Sequence, residues 1–278
     1  MYKKVLSIQD ISCVGQCSTT VALPVISACG IECAILPSAV LSTHTAGDFQ
    51  KVGFTCADLT NEFPAIEQKW KALGIKFDAI YTGYLGTVEQ IECVKSIMDS
   101  CLAKGGQRIV DPAMADGGKL YPAFGPEYVK AMGKLASTAD YVLPNITEAA
   151  FLTGSEYKEK YTESYIESLL EKLVHMGCKN IILTGVSFSE ETTGVVIYEN
   201  GRAQYYRHRK IKTSYHGTGD IYSSAFAGLL MAGKSAFDSA KIAAEFTCAA
   251  IENTIGDDAH WYGVKFEPLL GALAKQAK

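Results

Sequence analysis

Short apolar segments alternate with helical stretches through most of this 278-residue chain, and that rhythm limits the folds open to it. Val5–Ile8, Cys33–Leu36, Ala79–Thr82, Gln107–Val110, Tyr141–Leu143 and Asn180–Leu183 read as strands. Between them Cys17–Cys29, Leu59–Leu73 and Val88–Leu102 read as helices. Over Thr162–Met176, Ile166, Leu169, Leu170, Leu173 and Val174 share one helical face. Buried strands joined by crossover helices predict a mostly parallel sheet covered on both faces. The next segments depart from that pattern. Thr193–Tyr198 and Ala203–Arg209 flank Glu199-Asn200-Gly201, and Asn-Gly is a strong hairpin signal. Two helices follow, over Thr218–Ala232 and Ala236–Thr254. With no linker or repeat, the expectation is one domain over residues 1–278. Its architecture should be a three-layer α/β/α sandwich around a mostly parallel sheet, with an antiparallel hairpin late in the chain.

Composition excludes several other classes. Apolar residues make up 48% and charged residues 20%, enough to bury a large core and too apolar for a disordered chain. The formal net charge is -4, with the lysines and arginines scattered, so no nucleic-acid footprint is present. The basic run Arg207–Lys210 is too short to make one. The opening MYKKVLSIQD turns polar before a signal-peptide core could form, and no apolar run approaches a membrane span. A cytoplasmic location, with neither membrane nor nucleic acid as partner, is the expectation. The nine cysteines are odd in number and mostly in apolar contexts, which reads as reduced, buried thiols. Cys13 and Cys17 form a CxxxC pair, but no second pair completes a metal site.

The polar residues gather where strands end. They are Asp10 and Ser12, Thr43-His44-Thr45, Tyr84, Asp111 and Asp116, Asn145 and Glu148, Thr184, and finally Asp220. Ligands of open α/β sheets bind in the crevice at the carboxyl ends of the strands, so these loops should meet there. Several acids in one cleft are reasonable if Mg²⁺ and an alkali cation share it with a polyphosphate. Gly217-Thr218-Gly219-Asp220 then opens a helix of small residues. Free N–H groups at that N-terminus would form an anion site, and Asp220 could deprotonate a hydroxyl attacking phosphorus. Taken alone, the tetrapeptide fits equally well a capped helix with an ordinary first-turn acid. There is no GxxxxGK[ST], no GxGxxG after the first strand and no GxSxG. P-loop, dinucleotide and α/β-hydrolase sites are thereby set aside. His44 and His216 read as polar loop residues before they read as bases.

Together these segments resemble the ribokinase-like superfamily and, within it, the pyridoxal (pyridoxine, pyridoxamine) kinases. The resemblance runs through Ser7-Ile8-Gln9 to Gly15, Ser42-Thr43-His44-Thr45, and Thr82-Gly83-Tyr84-Leu85-Gly86. It continues through Asp111-Pro112-Ala113-Met114-Ala115-Asp116, Pro144-Asn145-Ile146-Thr147-Glu148-Ala149 and Gly217–Asp220. It implies ATP-dependent phosphorylation of the 5′-hydroxymethyl group of a vitamin B6 vitamer. Asp220 would be the base, and the backbone amides of Gly217, Thr218 and Gly219 an anion hole for the transferring phosphoryl group. By the same resemblance Ser12, Thr45 and Tyr84 match positions around the pyridine ring. Asp116 and Glu148 match positions near the metal–phosphate network, largely through water. Asn145, Thr184 and Thr218 match nucleotide-side positions, and the adenine would sit between Arg209–Tyr215 and the last helix pair. The implied cofactors are ATP and Mg²⁺, with room for a monovalent cation, K⁺ or Na⁺. The implied assembly is a homodimer.

Two features depart from the family pattern. Some bacterial relatives carry a cysteine just before the glycines, able to react with the aldehyde of pyridoxal; His216 stands there in this chain. Cys13 and Cys17 match no family role. A hydroxymethylpyrimidine kinase of thiamin synthesis is the alternative enzyme, since its substrate also carries a primary alcohol on a flat heteroaromatic ring. A non-catalytic B6-binding protein is the alternative of another class, but it has no use for Asp220 beside an anion hole. Gly117 and Gly118 make Ala115–Tyr121 the expected moving cover of the cleft.

Overall fold

The structure is a computed structural model describing residues 2–45 and 47–278. The chain opens with β1 (Lys4–Ser12), α1 (Thr19–Ala28) and β2 (Glu32–Leu41). A short helix α2 (Phe49–Val52), an edge strand β3 (Cys56–Asp58) and a 3₁₀ turn (Thr60–Glu62) lead into α3 (Phe63–Ala72). Then come β4 (Phe77–Thr82), α4 (Val88–Cys101), β5 (Leu102–Val110), β6 (Ala115–Asp116), β7 (Lys119–Leu120) and α5 (Pro126–Ala136). β8 (Tyr141–Val142), α6 (Ile146–Thr153), α7 (Glu163–His175), β9 (Asn180–Val186), β10 (Thr192–Glu199) and β11 (Arg202–Arg209) follow. The last helices are α8 (Thr218–Ala232), α9 (Ala236–Thr254) and α10 (Leu270–Ala277).

Among the described residues nine strands form one sheet in the order β11-β10-β9-β8-β5-β4-β1-β2-β3. The pairs from β2 through β9 are parallel, whereas β3, β10 and β11 are antiparallel additions at the two edges. Side chains alternate across the sheet with period two. Leu6, Ile8, Ile80, Val110, Val142, Ile181 and Leu183 face one apolar layer together with residues of α3 to α7. Val5, Ala79, Tyr81, Ile109, Tyr141 and Ile182 face the other with α1, α8, α9 and α10. Two buried layers on one sheet make the expected three-layer sandwich.

The chain leaves β1 for β2 on one side and returns to β4 on the other, so the strand order reverses between β1 and β4. Such a switch point opens a crevice at the carboxyl ends of the two strands. Here that places Ser12 and Tyr84 on either side of the opening.

Several bounds differ from the sequence reading for physical reasons. β1 runs on to Ser12 because Gln9, Asp10 and Ser12, although polar, are buried in the strand. The first helix starts at Thr19 because Ser18 takes a positive φ of 50°, which no helix accommodates. The segment Leu59–Leu73 divides into the 3₁₀ turn and α3, with Pro64 in the first turn of the latter. α5, α6 and α10, the β6–β7 hairpin, α2 and β3 are elements that strand-and-helix counting passed over. All nine cysteines are free thiols, but burial holds only in part: Cys13 and Cys56 are exposed, because one sits in the turn after β1 and the other starts the edge strand β3. Among the described residues no helix is long and apolar enough to cross a membrane.

Candidate active site

The site is built upward from the N-terminus of α8. Gly217 caps that helix in the left-handed conformation (φ 78°, ψ 0°) with no side-chain cap. A methyl group added at Gly217 would lie 1.9 Å from the carbonyl oxygen of Gln16, whereas one at Gly219 would meet nothing within 4 Å. The first glycine is therefore packed from behind and the second opens onto free space. A helix start leaves its first N–H groups without carbonyl partners, so those of Thr218 and Gly219 remain available to an anion. The Thr218 hydroxyl turns back to donate to the Tyr215 carbonyl at 3.2 Å.

Asp220 sits half-buried in the first turn of α8. Burial raises its carboxyl to about 7, the charges of Asp111 and Asp10 add to that, and the Ser18 backbone amide offsets part of it. A carboxylate poised near neutrality is suited to take a proton at ambient pH. Ser223, one helical turn further on, donates to the Asp111 carboxylate at 2.6 Å. Burial also raises Asp10, which the Ser18 and Ser12 hydroxyls partly relieve, the latter at 3.1 Å.

Glu148 and Asn145 form a reciprocal capping box at the start of α6. The Asn145 side chain accepts from the Glu148 amide, and a Glu148 carboxylate oxygen accepts from the Asn145 amide, each at 2.9 Å. The other Glu148 oxygen accepts from the Met114 amide at 2.9 Å, and the Asn145 amide nitrogen donates to the Ala115 carbonyl at 2.8 Å. The box therefore also fixes the root of the β6–β7 hairpin. Burial raises both Glu148 and Asp111, and the Asp111 charge pushes Glu148 further. Thr184 reaches this corner through an isolated parallel bridge to Asn145.

On the other wall, Tyr84 follows β4, its ring 5.4 Å from that of Phe124, which stacks on Tyr128 at 3.8 Å. Burial raises the Tyr84 hydroxyl, with Asp10 the leading charge. Ser12, Asp10 and Tyr84 thus share one end of the crevice. Thr45 lies exposed on a bend, and no hydrogen bond or ring contact joins it to them. Its neighbour His44 stands 5.1 Å from His216, ring to ring, and burial with that second imidazole lowers it to about 4. His44 is neutral at ambient pH.

Asp116 lies at the exposed turn of the β6–β7 hairpin, where it accepts from the Gly117 amide at 2.8 Å. Among the described residues, no group of three or more His, Cys, Asp or Glu side chains is arranged to hold a metal ion. With both oxygens of Glu148 engaged by amides, Asp116 and Glu148 do not make a cage. The donor set nonetheless fits a cation carried in on a polyphosphate. Asp10, Asp111, Glu148 and Asp220 converge, and among the described residues no lysine or arginine pairs with any of them. A hydrated Mg²⁺, which keeps several of its waters, requires no all-protein cage.

Four contributors escaped the sequence reading. Ser223 was legible in principle, since i and i+3 share a helix face. Tyr121 carries its hydroxyl among Glu148, Asp116, Asp220 and Asp111, and burial followed by those charges keeps it protonated. Gln16 and Ser18 meet α8 only through the fold.

Comparison with known proteins gives the family and the fold of the chain. A family model described as phosphomethylpyrimidine kinase matches residues 32–263. The chain is 29% identical to a pyridoxal kinase of Dictyostelium discoideum, over 82% of its length and 78% of the relative's. It is 28% identical to a hydroxymethylpyrimidine/phosphomethylpyrimidine kinase of Haemophilus influenzae, over 81% and 84%. The pyridoxal kinase of Lactobacillus plantarum superposes with a TM-score of 0.90 at 31% identity, covering 99% of this chain and 98% of that one.

Proposed function

Because the chain belongs to the phosphomethylpyrimidine kinase family, whose ribokinase-like members acting on B6 vitamers and pyrimidines are both among its relatives, we propose that it transfers the γ-phosphoryl group of ATP to the 5′-hydroxymethyl group of pyridoxal, pyridoxine or pyridoxamine. The observation that carries this reading is the placing of Asp220, with its carboxyl raised to about 7, beside the open helix start at Gly219. Asp220 accepts the hydroxymethyl proton as the oxygen attacks phosphorus, and the amides of Gly217, Thr218 and Gly219 receive the charge on the transferring group. Ser12, Thr45 and Tyr84 orient the ring. Asn145 and Thr184 would stand on the phosphate side, and Asp116 and Glu148 would serve a bound Mg²⁺ only through its waters. Mg²⁺, when bound with ATP, neutralises phosphate charge. A cleft of about 200 Å³ lined by Ile211, Cys248, Ala249 and Glu252 lies where the adenine is expected.

Tyr84, backed by the buried rings of Phe124 and Tyr128, favours a flat ring. A Bacteroides thetaiotaomicron protein assigned to the phosphomethylpyrimidine kinases was solved with pyridoxal, and it shares 34% identity and a TM-score of 0.90 over 98% of this chain and 96% of its own. Hydroxymethylpyrimidine is the second reading, supported by the relatives that carry that activity in their names. The test is ATP-dependent phosphorylation of a panel of the three vitamers and hydroxymethylpyrimidine. The highest kcat/KM on a vitamer is expected. Turnover of the pyrimidine alone would overturn the choice of acceptor, and turnover of none would overturn the reaction.

The pH profile follows from the base. An acid whose folded pKa is raised to about 7 is protonated and idle below that value, so kcat/KM should rise with pH through neutrality and level off above it. A profile flat from about pH 6 to about pH 8 would remove Asp220 from the role.

The β6–β7 hairpin is the cover of the site. Its tip, Gly117-Gly118, has φ of 55° and 78°, and the Gly118 amide donates to the Thr147 hydroxyl at 3.1 Å. A methyl group at Gly118 would lie 2.6 Å from the Tyr157 ring. ATP and vitamer together should lower amide hydrogen exchange over residues 115–121. Unchanged exchange there would show that the hairpin does not move.

A further inference from the structure

We propose that Gln16 is a positioning residue for phosphoryl transfer, holding the turn that sets both the anion hole and the base. The inference rests on the kinase reading above. The turn runs from Gly15 to Ser18, and three consecutive residues of it face α8. The Gln16 carbonyl oxygen packs against Gly217, at 1.9 Å from where a β-carbon would be. Cys17 is buried beside Asp220 and Asp10. The Ser18 backbone amide faces the Asp220 carboxylate. The turn is not a relaxed one, because Gly15 has φ of 129° and Ser18, a non-glycine, φ of 50°. A backbone held in such a conformation persists only where its surroundings over-determine it.

The side chain of Gln16 supplies that bracing. Its Nε2 donates to Glu267 Oε1 at 2.5 Å, and its Oε1 lies 2.6 Å from His260 Nε2. A carboxylate only accepts, so the amide nitrogen must face Glu267 and the oxygen must face His260. His260 therefore carries its proton on Nε2 and donates. The same segment meets Gln16 at Gly263, where a methyl group would lie 2.5 Å from the Gln16 β-carbon. One residue thus ties residues 260–267 to the turn through its side chain and, through its backbone carbonyl, meets the first glycine of the anion hole. Thr20 completes the brace by donating to the carbonyls of Gly15 and Cys17 at 3.0 and 2.8 Å.

The donor–acceptor order dictates the test. Gln16→Glu sets two carboxylates against each other, whereas Gln16→Glu with Glu267→Gln restores both bonds, the new glutamine donating and the new glutamate accepting from it and from His260. For Gln16→Ala and Gln16→Glu, kcat should fall about 10–10²-fold, as a misplacement of the order of 1 Å away from the chemistry does. KM for ATP and for the vitamer should hold, and the thermal midpoint should move little. Amide exchange over residues 13–20 should rise in both single variants, and the double variant should regain kcat and protection together. Unchanged kcat in Gln16→Ala, or a double variant no better than Gln16→Glu, would overturn the proposal. Exchange needs no turnover, so a wild-type protein inactive on the whole panel would defeat the kinase reading while the exchange series still decides whether Gln16 holds the turn.

Discussion

Replacing Asp220 with asparagine should lower kcat by about 10²–10⁴-fold, the range of a positioned general base, while acceptor and nucleotide still bind. The substitution keeps the shape and removes only the ability to take a proton. The same change should make the protein more stable, and the sign follows from linkage. Asp220 has a folded-state pKa raised from 3.8 to about 7, so ionising it disfavours the folded state. Below about pH 4 wild type and variant should unfold alike on this account. Between about pH 4 and 7 the unfolded wild-type chain ionises first and its stability relative to the variant declines. Above 7 the full difference is present. A thermal-midpoint difference that grows from acid to neutral pH, together with lost turnover, identifies a carboxylate kept at a cost in stability for its chemistry. Retained turnover would move the base elsewhere. Retained turnover with lowered stability would also require that the local field of Asp111 and Asp10 be relieved by a partner other than the solvent.

That opposition between stability and chemistry extends beyond one residue. Asp10, Asp111 and Glu148 are also held above the usual carboxylate range by burial, with no basic side chain paired to them among the described residues. A stable core without a ligand would not collect four acids at the carboxyl ends of the central strands. A cleft that receives a polyphosphate with its cations gains from each of them. A non-catalytic binding protein would profit from the same cluster only if it, too, took a metal–phosphate ligand, and it would leave the position of Asp220 beside Gly219 unused.

The sequence foretold most where local physics is decisive. α8 and α9 begin and end where their residues say, because Gly217 and Gly233 take left-handed conformations at the two ends of α8 and the Ser235 side chain caps α9. The β10–β11 hairpin follows from Asn200-Gly201, both with positive φ. What was illegible depended on the assembled fold. Gln9, Asp10 and Ser12 have the polarity of a loop, yet the strand carries them, with Gln9 donating to Ser7 and Ser12 to Asp10 two residues along the same face. α6 was harder to read because Asn145 and Glu148 stand three residues apart, a spacing that suits ligand residues in a loop and equally the capping box that the structure shows. Gln16 meets Glu267 and His260 across 251 and 244 residues of sequence, and no local pattern announces such a contact. Ser18 adopts a positive φ that its type does not favour, so only tertiary packing could have fixed it.

The two glycines at the start of α8 should respond to alanine in opposite ways in stability. Gly217→Ala forces a side chain into the left-handed region, a penalty of about 1–2 kcal/mol, and drives its methyl group into the Gln16 carbonyl. A backbone oxygen cannot rotate away as a flexible side chain would, so the turn at Gln16 or the start of α8 must shift. Stability should drop, and kcat should fall by about 10²–10³-fold, as when a donor to a developing charge is displaced. Gly219→Ala meets no protein atom within 4 Å and needs no positive φ, and alanine favours a helix by about 1 kcal/mol. Its thermal midpoint should therefore hold or rise. If the transferring phosphoryl group occupies the space above Gly219, the added methyl group lowers turnover in a protein that is otherwise sound. Thermal melts and single-turnover rates on the two variants separate the cases: a stable Gly219→Ala protein with undiminished rates would place the anion away from this helix start, whatever Gly217→Ala does.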